Sequence, residues 1–455
     1  MGWVRRVLPR RTLCNHRTKH GAQCPFIMNR LHRLLLAGAL VWTFVTCLIF
    51  LRIGQIRLQE LMRSEASVRS RISSNNEVLD RIKLWKQTAS ASRNGKEVIA
   101  TLVLACDRVS VKRTLDQIIS YRPSRELFPV IVSQDGYHNE TSALLRQYQK
   151  EHGFAFIQQP DQTLLTKGIT AIFNIEGYHR IARHYKWALT QVFERLEHTA
   201  VIVLEDDLDI APDFFEYFAS LLPVLRGDPS LFCISAYNDN GKPWHISRSP
   251  DMLHRTDFFS GLGWLLTREL WQEIGHRWPK SFWDDWIRQP DQRRNRACVR
   301  PEVSRTRTFG RKGVSEGQFF DEYLRDVRLN EVFVRFSTMD LSYLHQHRYD
   351  RAFLDIVSKS WLYSLDVLKK GGLRKSPAQI TYKNESAFGQ IADFLRIMKD
   401  FKAGVPRTAY KGVVSIYRRG IRLFLVPEPW EFKRRLQAAE KNLADEKLLD
   451  LRPLY

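Results

Sequence analysis

Hydrophobic and polar positions divide this chain into an apolar segment, a stem and a folded part. The segment Leu34–Leu51 is 18 residues long, carries no charge and lies between Arg33 and Arg52. This length is at the lower end of what crosses a hydrocarbon core of ~30 Å, so the pattern predicts a transmembrane helix. Residues 52–85 place apolar side chains at a loose helical or coiled-coil spacing, and residues 86–97, rich in small and polar residues, predict a linker.

From Val98 onward, patterns typical of buried strands alternate with patterns typical of amphipathic helices. Strands are predicted at Val98–Cys106, Phe128–Ser133, Phe154–Gln158 and Ala200–Leu204, and helices at Ser110–Tyr121, 140–152 and about Tyr178–Leu196. This order favours an α/β fold with a parallel sheet that binds ligands at the carboxyl ends of its strands. Beyond about residue 345, short strands such as Gly412–Tyr417 and Ile421–Val426 predict a smaller, separate lobe.

The charge distribution favours a membrane partner over a nucleic acid. The net charge is +22, but residues 1–96 hold 18 Lys and Arg against 4 Asp and Glu, while the other 359 residues hold 53 against 45. The excess of positive charge therefore lies in the tail and stem. No basic helix or zinc-knuckle spacing indicates a nucleic-acid module.

Basic residues before the apolar segment predict its orientation. Residues 1–33 contain eight Lys and Arg and no acidic residue. The positive-inside rule then predicts a cytosolic N-terminus and a lumenal C-terminal part, as in a single-pass type II protein. A cleaved signal peptide is the alternative. Against it, the basic region is long, the apolar run is bulky, and no clean small-x-small site follows.

An acidic triplet, Glu205-Asp206-Asp207, directly follows the predicted strand Ala200–Leu204. Carboxylates at the end of a buried strand are costly unless they are paired or bind a cation. Because Mg²⁺ and Mn²⁺ commonly bind one or two carboxylates together with substrate phosphates, the triplet predicts a metal–diphosphate site. Solvated loop charges or a helix cap are the alternative, and Asp213 is expected to cap the helix that follows it.

Three further features are candidates for parts of an active site. Arg108 follows the first strand, where it could pair with a phosphate or form an ordinary turn salt bridge. Asp284 and Asp285 lie between two tryptophans; they suit either a general base between aromatic walls or a helix N-cap beside core tryptophans. The segment 310–323 begins with spaced glycines and predicts a flexible loop able to fold over a ligand.

Cysteine is sparse in the predicted lumenal part, which contains Cys106, Cys233 and Cys298. An odd number in an oxidising compartment allows at most one disulfide within the chain and leaves one free thiol, unless a second chain takes part. Asn139 and Asn384 each begin a possible N-glycosylation sequon.

Several long segments of the chain resemble the N-acetylglucosaminyltransferase I family. They are VIVLEDDLDIAPDFFEYF, ISAYNDNG, RTDFFSGLGWLL, WPKSFWDDWIRQP, RACVRPEVSRTRTFGRKGVSEGQFFD and FKAGVPRTAYKG, within a resemblance that extends from about Val98 to Pro429. The resemblance implies a GT-A fold, dependence on Mn²⁺, and inverting transfer of GlcNAc from UDP-GlcNAc to O2 of the α-1,3-linked mannose of Man5GlcNAc2, a high-mannose N-glycan on glycoproteins. It also implies a place in the Golgi membrane, with the catalytic domain in the lumen.

The resemblance assigns roles to individual residues. It implies uridine and phosphate contacts for Arg108, Asp135 and His184. It also implies a metal motif, with Glu205 and Asp206 on the donor side and Asp207 as the direct ligand of the ion. The remaining implied roles are a loop over the donor at Val314 and Ser315, a catalytic base at Asp284, and a disulfide between Cys233 and Cys298. One position departs from the family pattern, because Gly136 stands where the usual disulfide partner of Cys106 would be. The second disulfide of the family is therefore not expected here.

These patterns predict a domain organisation and leave two other functions open. The segments are a cytosolic tail (1–33), a transmembrane signal-anchor (34–51), a stem (52–96), a GT-A catalytic domain (97–345) that includes a donor loop (310–323), and a smaller C-terminal lobe (346–455). The nearer alternative is a protein O-linked-mannose β-1,2-N-acetylglucosaminyltransferase. That enzyme carries a large extra lectin-like domain, whereas about 45 residues separate membrane and core here. A non-catalytic Golgi lectin or scaffold is the more distant alternative, although every matched metal and base carboxylate is present.

Overall fold

The computed structural model describes residues 25–90, 97–163, 175–314, 316–317, 319–431 and 433. Its helices are α1 (Pro25–Ser90), α2 (Val111–Tyr121), α3 (Asn139–His152), α4 (Ile175–Thr190), α5 (Phe214–Gly227), α6 (Arg268–Ile274), α7 (Trp283–Ile287), α8 (Pro290–Arg293), α9 (Gln346–Ser358), α10 (Leu365–Lys369) and α11 (Glu385–Leu395). Its strands are β1 (Ala100–Ala105), β2 (Val130–Gln134), β3 (Ala155–Gln158), β4 (Ala200–Glu205), β5 (Leu208–Ile210), β6 (Leu231–Ser235), β7 (Leu253–Thr256), β8 (Trp264–Thr267), β9 (Ala297–Pro301), β10 (Thr306–Thr308), β11 (Trp361–Leu362), β12 (Ala378–Tyr382), β13 (Phe401–Lys402), β14 (Val405–Pro406), β15 (Val414–Arg418) and β16 (Ile421–Pro427). The chain divides into two compact units, Met1–Arg69 and Ser70–Tyr455.

Helix α1 contains the predicted apolar segment and continues well beyond it. The helix is 66 residues long, so the stem and the first part of the predicted linker are helical. Within it, Leu34–Ser70 is a candidate membrane span, with a mean hydropathy of 2.5 over its most apolar 18 residues and none of that window buried. Large apolar side chains such as Leu40, Trp42 and Phe50 are exposed along this stretch. A bilayer would cover such a surface.

The largest sheet has eight strands in the order β3-β2-β1-β4-β8-β6-β9-β7. Strands β3, β2, β1 and β4 are parallel to one another, which confirms the α/β arrangement predicted for the first half of the folded part. The sequence prediction covered only these strands; in the second half of the sheet, β8 is antiparallel to β4 and β6, and β7 is antiparallel to β9. No strand was predicted at β7 or β8, which have four residues each. The result is a mixed α/β sheet, as expected of a GT-A domain.

Hydrophobic side chains cover both faces of this sheet. Along β1, Val103 shares a cluster with helices α2 and α5, whereas Leu102 and Leu104 share a cluster with helix α4. Successive residues of a strand point to opposite faces, so a strand that is covered on both sides is apolar throughout. This explains the continuous apolar runs in the sequence. Polar residues then follow directly after the carboxyl ends of β1, β2 and β4.

The C-terminal part contains a second sheet with its own core. Its strands follow the order β11-β12-β16-β15, and β15 and β16 correspond to the two strands predicted there. Residues from Leu368 to Leu425, including the buried face of α11, form a separate hydrophobic cluster. Helix α9 instead packs with the main sheet, because Tyr349 and Phe353 belong to the cluster that β1 and β4 share. The domain boundary between residues 345 and 346 stays a prediction.

Asp213 forms a buried ion pair rather than the helix cap that the sequence predicted. It precedes α5, but its side chain makes no capping hydrogen bond. Arg305 Nη2 lies 2.9 Å from Asp213 Oδ2 with both side chains fully buried, and Asn330 Nδ2 donates to Oδ1 at 2.9 Å. A carboxylate without water needs a guanidinium and further donors, so these tertiary contacts replace the cap. The pair joins α5 to the segment that leads into β10 and the donor loop.

Candidate active site

The acidic triplet ends strand β4, and two of its members are held by neighbouring elements. Cys106 N, at the end of β1, donates to Asp206 Oδ2 at 3.1 Å. Tyr185 OH, on α4, donates to Glu205 Oε1 at 2.7 Å. These contacts fix Glu205 and Asp206 in place. Asp207 lies instead against the start of the donor loop.

Arg108 links the triplet to the donor loop. Its Nη1 lies 3.2 Å from Asp206 Oδ1 and 2.5 Å from Asp207 Oδ2, and its Nη2 donates to Lys312 O at 2.5 Å. The guanidinium is partly exposed, with 27% of its side-chain surface accessible. Arg108 therefore forms salt bridges, but with residues 98 and 99 positions away rather than within its own turn. Its contact with a phosphate stays a prediction.

Gly310 is required where the loop passes Asp207. A Cβ atom at this position would lie 1.9 Å from Asp207 Oδ2, closer than any non-bonded contact allows. The approach is fixed because β5 and β10 pair Leu208 with Thr308, and because Phe309 N donates to Asp207 O at 2.9 Å. Any larger residue at this position would displace the Asp207 carboxylate.

Burial makes the ionised triplet costly. It raises the pKa of Glu205 to about 7, and the negative charge of Asp207 adds to this shift. Burial also raises the pKa of Asp206 to about 7, although Arg108 acts in the opposite direction. A divalent cation would favour the ionised carboxylates, so the electrostatics of this site suit a metal ion.

A metal site with few protein ligands fits these residues. Asp207 has 13% of its side-chain surface exposed and pairs with Arg108. Across the described ranges, no three or more His, Cys, Asp or Glu residues are grouped as a site formed by protein ligands alone. Mg²⁺ and Mn²⁺ do not need such a group, since they keep waters and bind substrate phosphates beside one or two carboxylates. Asp207 as the direct ligand of such an ion stays a prediction.

The residues expected to contact uridine and phosphate lie after β2 and on α4. Asp135 is buried, with its Oδ2 3.5 Å from Arg180 Nε, and Gln162 Nε2 donates to its Oδ1 at 2.9 Å. His184 Nε2 lies 2.7 Å from Ser133 Oγ. Burial lowers the pKa of His184 to about 4, so its ring is neutral near pH 7. A neutral imidazole suits a hydrogen bond to an uncharged base rather than an ion pair with phosphate.

The donor loop is held at both ends. Arg311 Nη2 lies 2.7 Å from Asp321 Oδ2, and Lys242 Nζ donates at 2.7 Å to a backbone oxygen near the end of the loop. Val314 lies in a turn between these points, whereas Ser315 is outside the described residues. Their roles over the donor stay predictions.

The two aspartates of helix α7 differ in their partners. Arg288 Nη1 lies 2.8 Å from Asp284 Oδ2 and 2.9 Å from Asp285 Oδ1. Lys402 Nζ, from β13, lies 3.1 Å from the other oxygen, Asp285 Oδ2. Both oxygens of Asp285 are thus paired, whereas Asp284 Oδ1 has no hydrogen-bond partner within the part of the chain that the structure describes. Asp284 has 42% of its side chain exposed, and its role as the base stays a prediction.

Trp283 belongs to the core rather than to a wall of the site. Its ring stacks on Trp278 with centroids 5.5 Å apart and lies 4.3 Å from Tyr185. Trp286 is half-buried and contacts Trp278 from another side. The alternative of core tryptophans is therefore correct for Trp283. Neighbouring helical residues point in different directions, so Trp283 faces the core while Asp284 faces solvent.

Tyr185 connects the two halves of the candidate site. Its hydroxyl binds Glu205 of the acidic triplet, and its ring packs on Trp283, the residue before Asp284. Tyr185 therefore contacts the triplet directly and also contacts the residue next to the candidate base. Sequence reasoning missed four such residues: Tyr185, Arg180, Arg288 and Lys402. Arg288 had a local signal in the sequence, because it follows Asp284 at the four-residue spacing of a helix. Lys402 had none, because it is 117 residues away from Asp285.

The structure joins Cys233 of β6 to Cys298 of β9 in a disulfide, the pairing that the resemblance implies. Cys106 is a free thiol. Burial raises its pKa to about 12, so its reactive thiolate form is scarce. Gly136 has a φ of +80°, and a Cβ added there would lie 3.9 Å from Cys106 Sγ. The position of the family's partner cysteine is therefore adjacent to Cys106, but here it holds a glycine in a left-handed conformation.

We expect the unreduced full-length protein to contain the Cys233–Cys298 crosslink and a Cys106 that can be alkylated after denaturation. Non-reducing digestion followed by mass spectrometry measures both. The control is Cys106→Ser, which should leave the crosslinked peptide unchanged. A crosslink from Cys106 to either of the other two cysteines would contradict this pairing.

Comparison with known proteins identifies the family. Residues 50–434 match the GNT-I family. The chain belongs to this family. A relative from Arabidopsis thaliana, named alpha-1,3-mannosyl-glycoprotein 2-beta-N-acetylglucosaminyltransferase, is 38% identical over 334 residues, which cover 72% of this chain and 74% of the relative. This GNT-I family chain is therefore a glycosyltransferase, as the sequence predicted.

Two solved structures are weakly similar to this GNT-I family chain. A mannosyltransferase from Pyrobaculum calidifontis, in complex with GDP-Man and Mn²⁺, is 14% identical with a TM-score of 0.27, and the match covers 47% of this chain and 58% of that one. Glucosyl-3-phosphoglycerate synthase from Mycobacterium tuberculosis, in complex with Mg²⁺ and uridine-diphosphate, is 14% identical with a TM-score of 0.31, covering 50% and 76%. The ligands of these two structures are therefore not assigned to this chain.

Proposed function

We propose that this chain is an inverting enzyme that transfers GlcNAc from UDP-GlcNAc to O2 of the α-1,3-linked mannose of Man5GlcNAc2 N-glycans. This is the step that starts hybrid and complex N-glycan synthesis. The observation that carries the proposal is the family match over residues 50–434, a range that includes the acidic triplet and Asp284. The name of the Arabidopsis thaliana relative supports the same linkage.

In this proposal the donor binds at the carboxyl ends of β1, β2 and β4. Asp135 and His184 would contact uridine, Arg108 the diphosphate, and Asp207 a Mn²⁺ ion. When bound, this ion neutralises charge that develops on the UDP leaving group. Carboxyl ends of parallel strands meet at one edge of a sheet, which is why residues distant in sequence can reach one ligand.

Asp284 would act as the general base towards the acceptor. Inversion requires a single in-line displacement at the anomeric carbon, and the attacking O2 hydroxyl loses its proton as the new bond forms. Arg288 holds Asp284 through Oδ2, so Oδ1 is the oxygen that takes the proton. Lys402 and Arg288 occupy both oxygens of Asp285, which makes the neighbouring carboxylate unsuited to this role.

The test uses the full-length chain purified in detergent, with UDP-GlcNAc, Mn²⁺ and two acceptors, Man5GlcNAc2 and an O-mannosyl peptide. We expect a β-1,2-linked GlcNAc on the N-glycan, identified by mass spectrometry and NMR, and little product on the peptide. Preferential transfer to the peptide would replace this proposal by the O-mannose alternative. Hydrolysis of the donor with transfer to neither acceptor would contradict both.

We also propose a single-pass type II arrangement in the Golgi membrane. It is supported by the candidate span in α1 and by the eight basic residues of segment 1–33. Protease added to sealed Golgi vesicles should spare everything after Arg52, and the same protease with detergent should digest it. Digestion of the catalytic part in sealed vesicles would reverse the orientation.

A further inference from the structure

Phe282 is an exposed aromatic residue with an unfavourable backbone conformation, just before the helix that carries the candidate base. Its φ and ψ are 52° and 47°, in the left-handed region. For a bulky L-residue this conformation is an outlier. Such strain persists only where the surrounding structure imposes it, and it is concentrated at active sites and ligand-binding sites.

The ring of Phe282 stacks on Tyr178 of helix α4. Their centroids are 4.5 Å apart and their planes differ by 29°. Phe282 is nevertheless 40% exposed. Because Tyr178 covers one face of the ring, the opposite face is the one left for a further stacking contact. We call this pair, Tyr178 and Phe282, the aromatic platform.

The aromatic platform lies next to the candidate base. Phe282 and Asp284 are two residues apart, so their Cα atoms are separated by at most about 7 Å. Burial raises the pKa of Tyr178, and the negative charges of Asp284 and Asp285 add to this shift, so the phenol lies within their field. In addition, Phe282 O accepts a hydrogen bond from Trp286 N at 3.0 Å. The strained residue and the base thus belong to one rigid turn.

We propose that the aromatic platform is a stacking site for a pyranose ring of the acceptor glycan. The C–H groups on the apolar face of a pyranose carry partial positive charge and the face of an aromatic ring is negative, so the two attract each other while apolar surface is buried. A sugar ring stacked on Phe282 has hydroxyls within reach of Asp284. This site deepens the proposed function and rests on it, because it requires a glycan acceptor.

The strained backbone conformation of Phe282 determines the direction of its ring. A right-handed conformation would continue helix α7 backwards and turn the side chain with it. The left-handed residue instead directs the ring onto Tyr178. Donor contacts come from other elements, the ends of β1, β2 and β4. Removal of the ring should therefore weaken acceptor binding and leave donor binding intact.

The decisive variant is Phe282→Gly, because glycine accepts the left-handed conformation and only the ring is lost. We expect the KM for Man5GlcNAc2 to rise by roughly 3- to 10-fold, as the loss of one aromatic contact would cause. The KM for UDP-GlcNAc and the slow hydrolysis of donor by water should not change. Phe282→Trp should keep a low acceptor KM. Trp361→Ala, which removes an exposed aromatic ring of the C-terminal lobe, is the matched control and should change none of these values.

A purely structural role would give a different result. If Phe282 only supported helix α7, Phe282→Gly would lower kcat and the melting temperature while the acceptor KM stayed unchanged, and this would overturn the stacking site alone. Should Phe282→Gly fail to fold, Phe282→Asn gives the same test, since asparagine tolerates this conformation. A wild-type chain without transfer to either mannose acceptor would contradict the proposed function, and the stacking site with it.

Discussion

Asp284→Asn should retain UDP-GlcNAc binding and lose turnover by ~10²–10⁴-fold, the usual contribution of a general base. That loss corresponds to roughly 3–5 kcal/mol of activation free energy. The amide has the same shape and its oxygen can still accept from Arg288, so the fold should be preserved. It cannot take the proton of the attacking hydroxyl at neutral pH. Steady-state kcat, calorimetric UDP binding and the melting temperature measure the three parts of this expectation.

Asp285→Asn is the matched control, since it makes the same chemical change one residue away. Its carboxylate pairs with Arg288 and Lys402, and an exposed ion pair such as that with Lys402 contributes only ~0–1 kcal/mol. We expect a mild decrease in activity or stability. Near-normal turnover of Asp284→Asn together with an inactive, folded Asp285→Asn would move the base by one residue. If both variants were active, the base would lie elsewhere.

Asp207→Asn should remove most activity and weaken UDP binding. The neutral amide is a poor ligand for Mn²⁺, and the ion provides several kcal/mol of stabilisation to the leaving group, or roughly two to three orders of magnitude in rate. The side chain is only 13% exposed and lies against Gly310, so asparagine, which has nearly the same size, should fit without displacing the loop. Titration of activity with Mn²⁺, and UDP binding with and without the ion, measure the effect.

The control for Asp207 is Asp355→Asn on helix α9. Asp355 pairs with Lys359, the residue that follows the end of this helix. Neither residue belongs to the candidate site, so this variant should show normal activity and a normal dependence on Mn²⁺. Wild-type enzyme should lose activity in EDTA and regain it with added Mn²⁺. Full activity of Asp207→Asn in the presence of chelator would rule out a metal-dependent role for this carboxylate.

Local sequence patterns were sufficient for the elements around the donor half of the site. The runs predicted at Val98–Cys106 and Ala200–Leu204 are strands β1 and β4, because strands covered on both faces are apolar without interruption. Carboxylates directly after such a strand are costly to bury, which is why Glu205-Asp206-Asp207 could be singled out from one sequence. The roles of Asp135 and His184 came from the resemblance to a family and had no such local signal.

Local patterns failed where a residue's partner is distant in sequence. Asp213 precedes a helix, as a capping residue would, but Arg305 contacts both of its carboxylate oxygens. Asp284 and Asp285 are indistinguishable by composition, and the contact with Lys402 separates them. Nothing in the sequence around Phe282 indicates a special role for this residue. Its strain and its contact with Tyr178 exist only in the folded chain.

The sequence by itself determined the apolar helix, the α/β class, the acidic triplet and the family of this protein, because each depends on the order of residues along the chain. Only the tertiary structure decided the mixed sheet order, the ion pair of Asp213, the partners of Asp284 and Asp285, and the aromatic platform. These features depend on which strands and loops pack together, and packing is set by side-chain volume and burial across the whole domain. Periodicity within one segment contains no information about its distant neighbours.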